Sequence, residues 1–145
     1  MNRSKAPEGK PVELMGLLHV AYAAQAEVET ALGTVGLSLA KLQALQALVD
    51  AGGSLPLGQL AERLACVKSN ITQLVDRLEA DGVVARESDP KDRRTRLAVL
   101  TAAGRKACTD GTRLQEESER QLLGSLSRAE ARQLGALLEK VGRRG

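Results

Sequence analysis

The sequence predicts a mainly α-helical fold with one small β-hairpin, and two observations support this class. Apolar residues, chiefly leucine, valine and alanine, recur at helical spacing along most of the 145 residues, and only 1% of the residues are aromatic. Residues 83–87 and 95–100 instead alternate like two strands, with an Asp-Pro turn between them. The hydrophobic share of 43% suffices for a core, which must be built from aliphatic side chains. We therefore expect one domain, or a compact domain with appended helices.

The first two helices are defined by their apolar spacing and by the residues that interrupt it. Helix one is expected over residues 12–32, and Gly33 and Gly36 then break the pattern. Ser38 is a good N-cap for a second helix, which ends at Gly52-Gly53. The buried stripe of this second helix comprises Leu39, Leu42, Leu45, Leu48 and Val49.

Two helices separated by a three-residue turn follow, and together they have the dimensions of a helix-turn-helix. The first spans residues 57–64, and the second runs from about Lys68 to Asp81, where Gly82 stops it. Their inward-facing residues are Leu60, Ala61 and Leu64 in the first helix, and Ile71, Leu74, Val75 and Leu78 in the second.

Two further helices are expected after the hairpin. Thr101 can cap a long, weakly amphipathic helix, and Ser127 and Glu130 form a capping box that begins the last one. Their apolar positions are Ala107, Cys108, Leu114, Leu122 and Leu123, followed by Leu134, Leu137, Leu138 and Val141. These helices and the first one are too elongated to share one compact core with the middle of the chain. We expect a homodimer that buries their apolar stripes.

The second helix of the helix-turn-helix would enter the major groove of DNA. Asparagine and glutamine can bind adenine bidentately, serine and threonine are adaptable, and lysine and arginine reach guanine or phosphate. An ordinary solvated helix face is the alternative, because polar outer faces are universal. Asp76 is the acidic exception and should point away from the phosphates. The outward-facing candidates are Lys68, Ser69, Asn70, Thr72, Gln73 and Arg77.

The hairpin carries a dense charge cluster at its tip. The net charge of the chain is only +3, so the position of the charges matters more than their sum. Arginine is attracted to a narrow minor groove, so this hairpin beside a helix-turn-helix predicts a winged helix. Asp89 should form the turn before Pro90, and Asp92 should brace an arginine. A merely soluble turn is the alternative. The basic candidates are Lys91, Arg93, Arg94 and Arg96.

These elements divide the chain into three parts. Residues 1–11 are basic without a following apolar stretch, so a disordered arm is expected rather than a signal peptide. Residues 12–36 and 101–145 should form a helical dimerisation region around a winged helix-turn-helix DNA-binding domain at 37–100. No apolar run approaches the roughly 18 residues of a membrane span, so we expect a cytoplasmic protein with no membrane partner.

The segment DPKDRR, followed by LT and Gly104, is the most specific motif, and LVDRLEADGVV is nearly as informative. With these motifs, residues 38–106 resemble the winged helix-turn-helix of MarR-type bacterial transcription regulators. The resemblance implies a homodimer on a pseudo-palindromic operator, with an effector pocket between the dimer helices and the winged domain. It also implies an ion pair between Asp92 and a wing arginine. The implied DNA contacts are Ser69, Asn70, Thr72 and Gln73, with Arg93 or Arg94 in the minor groove.

Three positions depart from the pattern of that family. Pro56 replaces a usual threonine or serine, Ala65 a glycine, and Val67 a capping serine or threonine. Loss of a cap weakens a helix start by about 1 kcal/mol. The entry geometry of both helices of the helix-turn-helix therefore depends on other contacts.

Cys66 lies in the turn of the helix-turn-helix and has two interpretations. It can be a small buried hydrophobe. Alternatively, it is a redox switch, because Lys68 and the helix N-terminus that follows would lower the pKa of its thiol. Cys108 is expected to pack within the long helix, and no disulfide is expected between the two cysteines.

His19 and Tyr22 are spaced three residues apart on helix one. They either pack near the dimer interface or line the effector pocket. One histidine cannot supply a metal site, and no cofactor is expected.

The sequence therefore predicts a dimeric, sequence-specific DNA-binding regulator, most simply a repressor that a small ligand or thiol oxidation releases from double-stranded DNA. The alternative is a winged-helix protein-interaction module that does not bind DNA. An enzyme is not expected, because the sequence has no nucleophile–base pair, no plausible pair of catalytic carboxylates and no phosphate-binding loop.

Overall fold

The computed structural model describes residues 9–64 and 68–143, and for residues 68 and 69 it describes the backbone alone. Six α-helices and three β-strands lie within these ranges. No helix among them combines the length and the apolar character needed to cross a bilayer. In chain order the elements are α1 (Leu14–Gly33), α2 (Leu39–Asp50), β1 (Ser54–Pro56), α3 (Leu57–Arg63), α4 (Lys68–Ala80), β2 (Val84–Ser88), β3 (Arg96–Leu100), α5 (Ala102–Leu123) and α6 (Arg128–Gly142).

The sheet has three antiparallel strands in the order β1-β3-β2, so it is larger than the predicted hairpin. Strand β1 pairs Ser54 with Val99 and Leu55 with Ala98. The sequence does not reveal this strand, because it is only three residues long and ends in Pro56, which cannot donate to a ladder. Pairing on both sides makes β3 the central strand and buries Ala98 completely.

The core is aliphatic, as the composition predicts, and it lies between α2, α3, α4 and the sheet, with α5 packed over it. Val49 is a correction to the predicted stripe of α2, since its side chain is 39% exposed. Val49 shares the helix face of Leu42 and Leu45, seven and four residues earlier, but it lies in the last turn of α2 and borders a surface cavity beside α5. The largest fully buried side chains are Leu32, Leu42, Leu45, Leu48, Leu60, Leu78, Val75 and Val84.

The predicted helix starts are confirmed at three places. The Ser38 hydroxyl accepts a hydrogen bond from the Lys41 amide at 3.2 Å, and the Thr101 hydroxyl accepts one from the Gly104 amide at 3.0 Å. Ser127 and Glu130 form the expected reciprocal capping box. Each cap satisfies amide groups that a helix start would otherwise leave without partners.

Gly104 marks the closest approach between α5 and the rest of the winged domain. A β-carbon at this position would overlap the carbonyl oxygen of Val83 and would lie 2.8 Å from Cδ1 of Leu100. The Thr101 hydroxyl donates to the Gly82 carbonyl at 2.7 Å, and the Thr101 amide donates to the Val83 carbonyl at 3.2 Å. The start of α5 is therefore seated directly on the turn between α4 and β2.

Gly111, two turns further along α5, allows a second close contact. A β-carbon there would lie 2.8 Å from Cδ1 of both Leu37 and Leu42. Helix α5 therefore approaches the core through two small residues, where a side chain would hold the helices apart.

Helix α6 and the first half of α1 lie at the periphery. Within the described residues, α6 has no buried side chain. Contiguous apolar surface on this scale usually marks an interaction site. The exposed large hydrophobic residues of these elements are Leu14, Met15, Leu17, Val20 and Tyr22 in α1, and Leu134, Leu137, Leu138 and Val141 in α6.

We expect Gly104→Ala to lower the free energy of unfolding by about 3 kcal/mol, the upper end of the cost of overpacking a core. The physical reason is the overlap with the Val83 backbone, which cannot move without displacing β2. Urea denaturation followed by circular dichroism measures this change. Gly58→Ala is the matched control, because nothing lies within 4 Å of a β-carbon at Gly58. A Gly104→Ala protein as stable as this control would contradict the proposed seating of α5.

Candidate nucleic-acid interface

Helix α4 presents the polar face that the sequence predicts. Ile71, Val75 and Leu78 are buried and fix the helix against the core. This rotation leaves four of the candidate DNA contacts exposed. They are Asn70, Thr72, Gln73 and Arg77. The backbones of Lys68 and Ser69 belong to the first turn of α4, and their side chains lie outside the described part of the chain.

Helix α3 begins without a side-chain cap, as the departure at Pro56 suggests. Pro56 occupies the N-cap position with φ −55° and ψ 141°, and it makes no capping hydrogen bond. Leu60 and Ala61 are buried, so packing holds α3 in place instead. The turn that contains Cys66, together with the departures Ala65 and Val67, lies outside the described residues.

Asp89 shapes the first half of the hairpin tip. One carboxylate oxygen of Asp89 accepts a hydrogen bond from the Lys91 amide at 2.9 Å, which is the predicted turn-forming role. The Asp89 amide donates to the Thr95 carbonyl at 3.0 Å and closes the loop. Strands β2 and β3 thus enter the tip in a fixed register.

Asp92 shapes the second half of the tip, and it holds the backbone of an arginine rather than the arginine side chain that the resemblance implies. Its carboxylate accepts hydrogen bonds from the Arg94 amide at 3.1 Å and from the Thr95 hydroxyl at 3.2 Å. Within residues 68–143 it makes no ion pair with an arginine. A short aspartate reaches the backbone two residues ahead more readily than a distant guanidinium. Asp92 therefore holds the loop rather than a side chain.

The positive charges of the tip remain exposed around this ordered backbone. Lys91, Arg93 and Arg94 are all exposed, and neither arginine forms an ion pair with any other described residue. Arg96 is exposed on β3, and its guanidinium donates to the Ser88 hydroxyl at 3.4 Å. The structure thus combines a defined loop shape with cationic groups that are free to contact an anion.

Arg86 on β2 links the hairpin to α4, and it was not among the predicted site residues. Its guanidinium lies 2.6 Å from a carboxylate oxygen of Asp76 and 3.5 Å from one of Glu79. It also donates to the Thr72 carbonyl at 3.3 Å. The sequence does contain a signal for this contact. Positions 72, 76 and 79 share one face of a helix, and the hairpin that carries Arg86 follows that helix directly.

His19 and Tyr22 lie apart from these elements, on the exposed side of α1. Tyr22 is 63% exposed. A surface cavity of about 560 Å³ lies between α2 and α5, with Val49, Arg105 and Thr112 in its lining, and neither His19 nor Tyr22 is among the lining residues. The structure therefore does not bring the two predicted effector residues to this cavity.

Cys108 is buried in α5, as predicted for a packing residue. Burial raises the pKa of its thiol, a hydrogen bond with the Thr112 side chain opposes this, and the charge of Asp50 adds to the rise. The thiol of Cys108 therefore stays protonated at neutral pH, which makes it a weak nucleophile.

Comparison with known proteins gives a consistent result for this architecture. The model of the MarR family matches residues 35–95. The regulator YkoM of Bacillus subtilis is 36% identical over 90 residues, which cover 62% of this chain and 58% of that protein. The first curated relatives are matched over only about half to three fifths of their own length.

Two solved structures match over most of the chain. A probable transcriptional regulator from Pseudomonas aeruginosa is 31% identical, with a TM-score of 0.78 over 86% of this chain and 92% of that chain. A mutant of MarR from Escherichia coli, solved in complex with operator DNA, is 25% identical, with a TM-score of 0.79 over 88% of this chain and 92% of that chain. Members of this family are regulators and not enzymes. The winged fold, the match to the family model and the similarity over most of the chain lead to one conclusion: the chain belongs to the MarR family of transcriptional regulators.

Proposed function

We propose that this MarR-family chain is a homodimeric, sequence-specific DNA-binding regulator that represses transcription from a pseudo-palindromic operator. One observation carries the proposal: the polar face of α4 and the cationic tip of the hairpin belong to one packed unit and are both exposed. The fold shared with a MarR protein bound to operator DNA supports the same assignment.

The two surfaces have different tasks in this proposal. Asn70 and Gln73 of α4 read base edges in the major groove, because amide side chains can pair bidentately with adenine. Arg93 and Arg94 enter the adjacent minor groove, where the negative potential is strongest. Phosphate contacts contribute most of the affinity, whereas base contacts select the sequence.

The second copy is proposed from the uncovered apolar faces of α1 and α6. These two helices present large aliphatic side chains to solvent within one chain. A twofold contact would cover both faces and would place two copies of α4 against two half-sites. Each copy of the chain would bind one half-site, so the homodimer would match the twofold symmetry of a palindromic operator.

Release from DNA is proposed to follow either from binding of a small ligand or from oxidation of a thiol. The α2–α5 cavity adjoins the core of the winged domain and supports the first route. Cys66, within the helix-turn-helix, is the candidate for the second. Both routes would act by moving α4 relative to its twofold partner.

Replacing Arg93 and Arg94 together with alanine should weaken DNA binding and flatten its salt dependence. The slope of log affinity against log salt should fall by about 1 for each phosphate contact that is lost. Fluorescence anisotropy over a salt series measures both quantities, and size-exclusion chromatography should show unchanged assembly. Arg113→Ala with Arg120→Ala is the matched control, because it removes two exposed arginines from α5. If both double variants behaved alike, net charge rather than the wing would govern binding.

Asn70→Ala and Gln73→Ala should each reduce discrimination between the preferred duplex and a mismatched one. The expected loss is about 1–3 kcal/mol for each bidentate base contact. Competition binding with single-base variants of the duplex measures it, and Gln121→Ala on α5 serves as the control. An equal loss of affinity for all duplexes would assign these side chains to the DNA backbone.

Treatment with an oxidant should release DNA from the wild-type protein but not from Cys66→Ser. Cys108→Ser is the matched control and should respond like wild type, because burial raises the pKa of the Cys108 thiol and keeps it unreactive. A gel shift with and without peroxide measures the fraction of DNA that each protein releases. Equal release of all three proteins would exclude Cys66 as the switch.

A further inference from the structure

We propose that Arg86 is a positioning residue that locks the hairpin onto α4, so that the two DNA-contacting surfaces keep one fixed separation. The inference rests on the proposed function and names a determinant of specificity for it. In this role Arg86 contacts protein rather than DNA, and the loss of Arg86 changes sequence discrimination through the placement of other residues.

The contacts of Arg86 extend over two turns of α4. Its guanidinium reaches Asp76 at 2.6 Å, Glu79 at 3.5 Å and the Thr72 carbonyl at 3.3 Å. Its backbone amide donates to the other oxygen of Glu79 at 3.0 Å. Main chain and side chain of one residue therefore both hold β2 to the same face of the helix. The planar guanidinium carries five donors in a fixed fork, whereas the three donors of an ammonium group all diverge from one nitrogen.

Arg86 differs from the arginines of the hairpin tip because its side chain is largely buried. Its side chain is 18% exposed, whereas its partners Asp76 and Glu79 are 58% and 45% exposed. The cation is thus enclosed between the helix and the strand, with its charge directed to two carboxylates. Enclosure of this kind makes an ion pair more sensitive to loss of a partner than a fully solvated one.

The position of Arg86 in the chain explains why its contact with α4 would affect recognition of the DNA sequence. Thr72 and Asp76 directly adjoin Gln73 and Arg77, which face outward on α4. In the other direction, β2 continues from Arg86 to Ser88, and the hairpin tip begins at the next residue, Asp89. Any shift of β2 along α4 therefore changes the distance between the base-reading face and the tip arginines.

The other polar contacts described at this junction lie at the turn between α4 and β2. The turn after α4 is anchored by the Thr101 contact with Gly82 and by the Lys41–Asp81 ion pair at 2.7 Å. Both anchors lie at the end of α4, and neither restrains β2 beside the first turns of the helix. Within residues 9–64 and 70–143, the Arg86 guanidinium reaches back along α4 as far as the Thr72 carbonyl.

Asp76→Asn gives a test in which positioning and simple electrostatics predict opposite signs. Removing a negative charge beside DNA should tighten binding to every duplex if only charge matters. If Asp76 holds Arg86, the same change should weaken binding to the preferred duplex by roughly tenfold, the equivalent of about 1.4 kcal/mol for one charge-assisted hydrogen bond. Glu87→Gln is the matched control, since Glu87 is exposed on β2 and forms no ion pair with another described residue.

The binding experiment compares wild type, Asp76→Asn, Arg86→Met, Arg86→Lys, the Asp76→Asn/Arg86→Met double variant and Glu87→Gln. The probes are a duplex selected by wild type from a randomised pool and a scrambled duplex of equal length. We expect Asp76→Asn and Arg86→Met to lose affinity for the selected duplex only, with a double-variant effect smaller than the sum. Arg86→Lys should recover part of the loss. Melting temperatures confirm that each variant is folded at the assay temperature.

A second measurement requires no DNA. Spin labels at Arg77→Cys and Arg93→Cys, in a background of Cys66→Ser and Cys108→Ala, report the distance between α4 and the tip. We expect a narrow distance distribution that broadens when Arg86→Met is added and stays narrow with Glu87→Gln.

Three results would overturn the proposal. Asp76→Asn could tighten binding as Glu87→Gln does, Arg86→Met could weaken both duplexes equally with a lower salt slope, or the distance distribution could remain unchanged without Arg86. A wild-type protein that selects no duplex would instead refute the proposed function. Broadening of the distance distribution would still show that Arg86 holds the hairpin, so the two failures are distinguishable.

Discussion

Close helix packing without aromatic side chains is the constraint on which the rest of the structure depends. Aliphatic side chains are short, so a tight core of leucine and valine requires the backbones to come near each other. Gly104 and Gly111 permit this on α5, where the helix meets Val83 and the leucines of α1 and α2. Helix α5 therefore packs along α1 and α2, and its start is seated on the turn between α4 and β2.

In the candidate nucleic-acid interface, the residues that fix the shape of the protein differ from the exposed cations that would contact DNA. Aspartates at the tip bind backbone amides, and Asp76 and Glu79 bind Arg86, so the acidic residues serve the protein itself. The tip arginines are consequently left without internal partners among the described residues. A duplex would meet cations carried on a loop whose backbone is ordered beforehand, which reduces the ordering cost of binding.

Most of the fold was predictable, because helix caps, glycine stops and apolar spacing are local signals. Ser38, Thr101 and Ser127 act as predicted, and α4 turns the expected face outward. Strand β1 and the partners of Asp92 and Arg86 were not predictable in the same way. They depend on which segments meet in space, and a three-residue strand or a single arginine leaves almost no periodic pattern. Asp92 does hold an arginine, but through the Arg94 amide rather than through the ion pair that the resemblance implied, because the amide is nearer than a guanidinium.

The uncovered apolar face of α6 would make the folding of this helix depend on the concentration of the protein. It is 15 residues long, begins with a good capping box and buries no side chain within its own chain. A helix of that length is only marginally stable on its own in water. In the proposed homodimer, the partner copy would complete the folding of α6 by covering its apolar face, and mass action would govern both events together. At low copy number the regulator would lose its terminal helix before it loses its winged domain.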